Sequence, residues 1–171
     1  LLPPLTAGSG PFVLAGILEP AYEAGGDAFD YSLSETTVSL AAFDAMGHGL
    51  SAAVLVAAAV SAYRGARRDG RGVHDQARAL DEVVAGTFPG SWFVTGVLAE
   101  LDVPTGRLRY VNAGHPAPHL LRGGKVVKSL AGGRRVPFGL GAGVLTVAEE
   151  ALQPGDWLAV HTDGVTEARD A

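Results

Sequence analysis

Three aspartates repeat one local pattern. Asp27 follows Gly25-Gly26 at the start of a strand-like run. Asp44 ends an apolar run and precedes Ala45-Met46-Gly47-His48-Gly49, and Asp163 follows the apolar stretch Trp157 to His161 and precedes Gly164. Taken singly, each is what a turn-capping aspartate looks like. Three of them in a chain with only 18% charged residues suggest a joint task. Carboxylates brought together repel one another and lose hydration, so they need a cation. Oxygen-only donors suit Mg²⁺ or Mn²⁺ better than Zn²⁺. Two such ions can activate a water molecule and clamp a phosphoryl group.

The elements that must position these residues follow from composition and periodicity. Phe12 to Leu18, Phe29 to Leu33 and Thr37 to Phe43 have strand character, the last being rich in β-branched and apolar residues. Leu50 to about Arg67 is alanine-rich and long enough for a buried helix. Val73, Ala77, Leu80, Val83 and Val84 recur at helical spacing, with Gly86 as a stop, so two antiparallel helices are expected in sequence. Trp92 to Asp102 and Arg107 to Asn112 form a hairpin about Val103-Pro104-Thr105-Gly106. His119 to Arg122 and Lys125 to Leu130 form a second about Gly123-Gly124, and Leu145 to Leu152 and Trp157 to His161 are late strands. About eight strands around two consecutive helices predict an α+β fold, not an alternating parallel sheet. The 171 residues are expected to form one domain.

Composition excludes several functions. The formal charge of −5 argues against a nucleic-acid partner, and the absence of cysteine removes disulfides, thiolate–zinc sites and a cysteine nucleophile. No apolar run approaches the ~20 residues of a membrane span. His115 and His119 are four apart, but Pro116 and Pro118 deny them a helix and hence a zinc pair; His115 is expected to fix its turn. His48 is expected to be structural. Gly139 to Gly143 lacks the spacing of a dinucleotide loop. Arg64, Arg67, Arg68 and Arg71 read as a solvated inter-helix segment or a docking patch. Trp92 and Phe93 read as core. The glycine-rich stretch Ala131 to Gly143 is expected to be a mobile flap.

Four segments then occur in order: Gly25-Gly26-Asp27-Ala28-Phe29-Asp30, Asp44-Ala45-Met46-Gly47-His48-Gly49, Asn112-Ala113-Gly114-His115-Pro116 and Thr162-Asp163-Gly164-Val165-Thr166-Glu167. Together with Phe93-Val94-Thr95 and Pro137-Phe138-Gly139, the series resembles the bacterial SpoIIE-type branch of the metal-dependent (type 2C, or PPM) serine/threonine protein phosphatases. The resemblance implies two antiparallel sheets packed as a sandwich between antiparallel helix pairs, with two divalent cations, Mn²⁺ or Mg²⁺, at one end. It implies Asp44 as the bridging ligand, Asp27 and Asp163 as further metal ligands and catalytic residues, the Ala45 carbonyl as another ligand, and Asp30 in support. Met46 stands where the eukaryotic branch has its acid histidine, so that role does not carry over.

The resemblance further implies hydrolysis of phosphoserine or phosphothreonine on a partner protein, an anti-sigma-factor antagonist in a sigma-factor pathway. A cytoplasmic setting, an N-terminal sensor domain and the option of a homodimer go with it. The family's last metal-binding aspartate lies beyond the Asp163 motif, and the sequence ends at Ala171. The expectation is therefore a domain with its C-terminal part missing, a weakened or half-filled metal site, and ragged structure from Glu167 to Ala171. The rival reading is a phosphatase-like module that binds partners without turnover.

Overall fold

Strand parity and helix stripes assemble three layers. The computed structural model describes residues 3–19, 25–88, 90–141 and 143–167. Strands β1 (Thr6–Ser9) and β2 (Phe12–Ala15) form a hairpin, and β3 (Asp27–Leu33) and β4 (Thr37–Ala45) follow. Helices α1 (Leu50–Arg68) and α2 (Val73–Thr87) come next, then β5 (Val94–Asp102) and β6 (Arg107–Ala113). The chain continues through β7 (His119–Arg122), β8 (Lys125–Ser129), the two-residue β9 (Arg134–Arg135), β10 (Ala148–Ala151), β11 (Trp157–Ala159) and the single turn α3 (Gly164–Glu167).

The larger sheet has the order β10-β6-β5-β4-β3, with β9 added in parallel to β6; the smaller has the order β11-β7-β8. Alternate residues of a strand face opposite sides. Ala41, Phe43 and Ala45 of β4 therefore join Leu98 of β5 against α1 and α2, where Ala52, Leu55, Ala59, Tyr63, Leu80 and Val84 lie in one buried cluster. On the other face Ala99, Leu108 and Tyr110 meet Leu120 of the smaller sheet and Leu130 just beyond it, with Leu40 and Leu158 packed alongside. The α+β sandwich anticipated from the sequence is the fold. Among the described residues one helix pair, α1–α2, covers a sheet face.

Small residues make that cover possible. Ala52, Ala59 and Ala66 recur every seven residues on the buried side of α1, letting the helix lie close to the sheet. The turn after Asp69 is short, and Gly70 takes a positive φ of 72°, so α2 runs back beside α1. No helix among the described residues is long and apolar enough to cross a membrane.

Two expectations are corrected here. Arg64, Arg67 and Arg68 are the last turns of α1, not a solvated connector, and Arg64 and Arg67 both turn inward to Asp30. The Ala131–Gly143 segment is anchored rather than free. The Arg135 side chain is 2% exposed and pairs with Asp81 of α2 at 2.8 Å. Asp81 also accepts the Gly139 N–H at 2.8 Å, and Phe138 is wholly buried. The glycines there serve close approach: a Cβ on Gly139 would sit 2.5 Å from a Val84 methyl carbon. The expected raggedness near the C-terminus falls, beyond residue 167, outside the described residues.

Candidate metal centre

The β3–β4 register sets Asp27 directly opposite Asp44, and the β4–β5 register sets Asp44 opposite Thr95. Cross-strand partners share a face, so the three side chains form a row across three strands, on the sandwich side, at one end of the larger sheet. The third carboxylate arrives from the smaller sheet. Beyond β11 the chain passes through His161 and Thr162 to Asp163. The Thr162 hydroxyl donates to Asp27 Oδ2 at 3.3 Å, tying this segment to the row.

The site is electrostatically unbalanced. Burial, then the charges of Asp27 and Asp163, push the Asp44 carboxyl up to about 6. Asp27 is raised as well, chiefly by burial and further by Asp163, against the lowering effect of its bond from Thr162. Its Oδ1 is buried without a hydrogen-bond partner. Orphaned, mutually repelling oxygens of this kind are a donor set for a hard cation.

The backbone is shaped to the same end. The Ala45 N–H donates to the Gly26 carbonyl at 3.0 Å, and a Cβ on Gly26 would lie 2.5 Å from the Ala45 oxygen. Glycine at 26 is what lets the Ala45 carbonyl lie there. Among the described residues, however, no three His, Cys, Asp or Glu side chains are drawn into a group able to hold a metal. Asp27 and Asp44 stand in register, while Asp163 is exposed and acts on them through its charge. A cleft of about 300 Å³ opens beside Asp27, walled mainly by apolar groups including Leu14, Phe29, Tyr31 and Leu158.

Other sequence candidates fall elsewhere. Asp30 is on β3 with Asp27 but has the opposite parity. It is 3% exposed and paired with Arg64 at 2.7 Å and Arg67 at 3.3 Å, on the helix side of the sheet, so it does not support the carboxylate row directly. His48 is exposed in the loop before α1. Trp92 is partly buried against the helix-side core. His119 stacks on His161, with ring centroids 5.6 Å apart and planes at 22°.

The turn after β6 is fixed by Asn112, not by the imidazole of His115: Asn112 Oδ1 accepts the His115 N–H at 2.9 Å. The His115 ring instead reaches inward to Thr95 Oγ1, at 3.0 Å from Nδ1. Thr95, His161 and Thr162 are the site residues that sequence reasoning left without a role. For Thr95 a signal existed, because pairing the predicted strands in register puts it beside Asp44.

The sequence profile of stage II sporulation protein E (SpoIIE) matches residues 34–171. The RsbU and RsbW domains of Rv1364c from Mycobacterium tuberculosis superpose with a TM-score of 0.75 at 32% identity, over 87% of this chain and 42% of that one. The PP2C phosphatase domain and regulatory fragment of SpoIIE from Bacillus subtilis gives a TM-score of 0.73 at 21% identity, over 83% and 41%. RsbX in complex with magnesium gives 0.69 at 14% identity, over 84% and 69%. The second and third are likenesses of fold. The chain spans about two fifths of the length of the first two.

Proposed function

The chain belongs to the stage II sporulation protein E (SpoIIE) family, and we propose from that premise that its carboxylate row is the metal centre of a protein serine/threonine phosphatase domain. The observation that carries the reading is the Asp27–Asp44 pair: two aspartates face to face at a sheet end, both held above the usual carboxylate range, one with an orphaned buried oxygen. Asp27, Asp44, Asp163 and the Ala45 carbonyl are the groups that would hold the cations. The magnesium complex of RsbX supports a hard divalent ion; the reading takes two, Mg²⁺ or Mn²⁺, because two such ions can activate a water and clamp a phosphoryl group together. Such ions neutralise the cluster, lower the pKa of a bound water and stabilise charge on a phosphoryl group.

The chain's own residues have simpler tasks. Asp44 must give up its proton before it can act as a ligand, so loading is favoured above pH about 6. Thr162 fixes one oxygen of Asp27 and leaves the other free. The substrate in this reading is phosphoserine or phosphothreonine on a partner protein, an anti-sigma-factor antagonist. The pairing of an RsbU with an RsbW domain in the mycobacterial relative supports such a regulatory setting. A cytoplasmic location, an N-terminal sensor domain and homodimerisation accompany the proposal.

The test is phosphate release from a phosphoserine protein by this chain, with and without Mn²⁺, alongside Asp44→Ala. Mn²⁺-dependent release that the substitution abolishes is the expected result. The lack of a closed three-carboxylate group among the described residues favours the second reading, a non-catalytic binding module. Partner binding without Mn²⁺ uptake or turnover would select it.

A further inference from the structure

His115 is built into the protein at some cost. Gly114 turns the chain at a φ of +69°, Asn112 Oδ1 takes the His115 N–H, and Asn112 Nδ2 donates to the Pro116 carbonyl at 3.3 Å. Asn112 is 0% and His115 1% exposed. This tight turn points the imidazole inward, where Nδ1 meets the hydroxyl of Thr95, the residue opposite Asp44. The other ring nitrogen, Nε2, is buried without a hydrogen-bond partner. A fully buried polar atom left unsatisfied calls for a reason other than packing.

That reason lies on the far side of the ring. The main chain of His161 and the carboxylate of Asp163 are both near enough to act on the imidazole. They favour its protonation, while burial and the His161 ring oppose it and hold the group down to about 4. A neutral ring therefore stands between the strand that carries Thr95 and the segment that delivers Asp163. Two other ties hold that segment, the His119–His161 stack and the Thr162–Asp27 hydrogen bond.

We propose that His115 is a positioning residue of the metal centre: its buried ring, bonded to Thr95 directly opposite Asp44, fixes that wall of the carboxylate row. The inference rests on the metal-centre reading above and adds to it what braces the strand beside Asp44. His115 touches neither cation nor substrate in this role. It acts through its bond to Thr95.

The experiment is Mn²⁺ titration of the metal-free chain by calorimetry, with thermal melting of the same samples, for wild type, His115→Ala, Thr95→Val and the double variant. Loss of a supporting residue around a metal site weakens binding by about 10–100-fold, and His115→Ala is expected in that range. Thr95→Val should weaken binding less. The double variant should be no worse than His115→Ala alone, because both residues act through one bond. His115→Asn, whose amide can take the place of Nδ1, should recover part of the affinity.

Wild-type Mn²⁺ affinity in the folded variants, with only the melting temperature lowered, would reduce His115 to a packing residue and overturn the proposal. Should His115→Ala fail to fold, Thr95→Val keeps the ring and removes its bond, and unchanged affinity there overturns the proposal equally. A wild-type chain that takes up no Mn²⁺ overturns the metal-centre reading itself and this inference with it, a result distinct from the other two.

Discussion

Asp27 and Asp30 lie three positions apart on one strand, on opposite faces, and meet opposite surroundings. Asp30 faces the helices and is enclosed by the guanidinium groups of Arg64 and Arg67. Asp27 faces the sandwich and is given two more carboxylates instead, with one of its oxygens buried and unpartnered. The first arrangement is balanced in charge by two guanidinium groups, although Asp30 Oδ2 and Arg67 Nη1, 3.3 Å apart, form an ion pair without a hydrogen bond. The second sets carboxylates near one another, and burial and their mutual charge raise the pKa of both Asp27 and Asp44. The two carboxylates thus differ by what faces them, and their opposite parity on β3 sets which surroundings each one meets.

The widest separation between the two regions is expected on substitution of their central residues. Asp44→Ala should eliminate Mn²⁺-dependent phosphate release, a loss beyond the ~10–100-fold typical of a supporting residue. In the absence of metal the same change should raise the melting temperature, because it removes one member of a repelling cluster. A variant that keeps turnover would remove Asp44 from the centre.

Asp30→Ala should do the reverse. It removes the carboxylate shared by two partly buried guanidinium groups, 26% and 15% exposed, and should cost roughly 2–3 kcal/mol, less than a wholly buried pair because water can reach Arg64. Urea denaturation would measure it, and Mn²⁺ affinity of the folded variant should be little changed. If instead Asp30→Ala abolished metal binding while sparing stability, the division between the two faces would fail.

Gly26→Ala tests the backbone on the functional side. The added methyl would meet the Ala45 oxygen at 2.5 Å, and neither partner is a flexible side chain. A cost of about 1–3 kcal/mol is expected, with weakened Mn²⁺ binding as the Ala45 carbonyl is displaced. Wild-type affinity in this variant would argue that the carbonyl is not a ligand.

Much of this was legible in the sequence, and the limits have physical causes. The period-2 and period-3.6 patterns located β3 to β8 and both long helices, because each buries one face. The aspartates were visible because each sits at a strand end beside glycine. Parity across the register was not drawn from the sequence, and so Asp30 was expected to support the site although it points the other way. The anchoring of the Ala131–Gly143 segment was hidden because it depends on Asp81, about 50 residues earlier, receiving both Arg135 and Gly139. The His115–Thr95 contact was hidden for the same reason: a buried histidine shows its partner only when a distant strand is in place.

The smallest effect separates the two regions by pH. The Asp44 carboxyl is raised from 3.8 to about 6 in the folded protein, first by burial and then by Asp27 and Asp163. The native state therefore holds a proton more tightly than the unfolded chain does. The stability this contributes is full below about pH 3.8 and is lost as pH rises through about 6. Asp27 is displaced in the same direction and adds to the trend. Because Asp44 is only half-buried, the combined effect should be of order 1 kcal/mol after solvent screening. Buried His115, held down to about 4, contributes the opposite trend over the same range, so the Asp44 effect is read as a difference: relative to Asp44→Asn, the metal-free chain should lose melting temperature from pH 5 to pH 7. Saturating Mn²⁺ should reverse the slope, since the ion binds only the deprotonated carboxylates and stabilises the native state by mass action. Asp44→Asn should lose the Mn²⁺-dependent change of slope, while Asp30→Asn should lower stability and leave it in place. A metal-free wild-type chain whose melting temperature follows that of Asp44→Asn from pH 5 to 7 would mean that the carboxylates at the sheet end are already compensated, and that the contrast between the two faces of β3 is not one of charge.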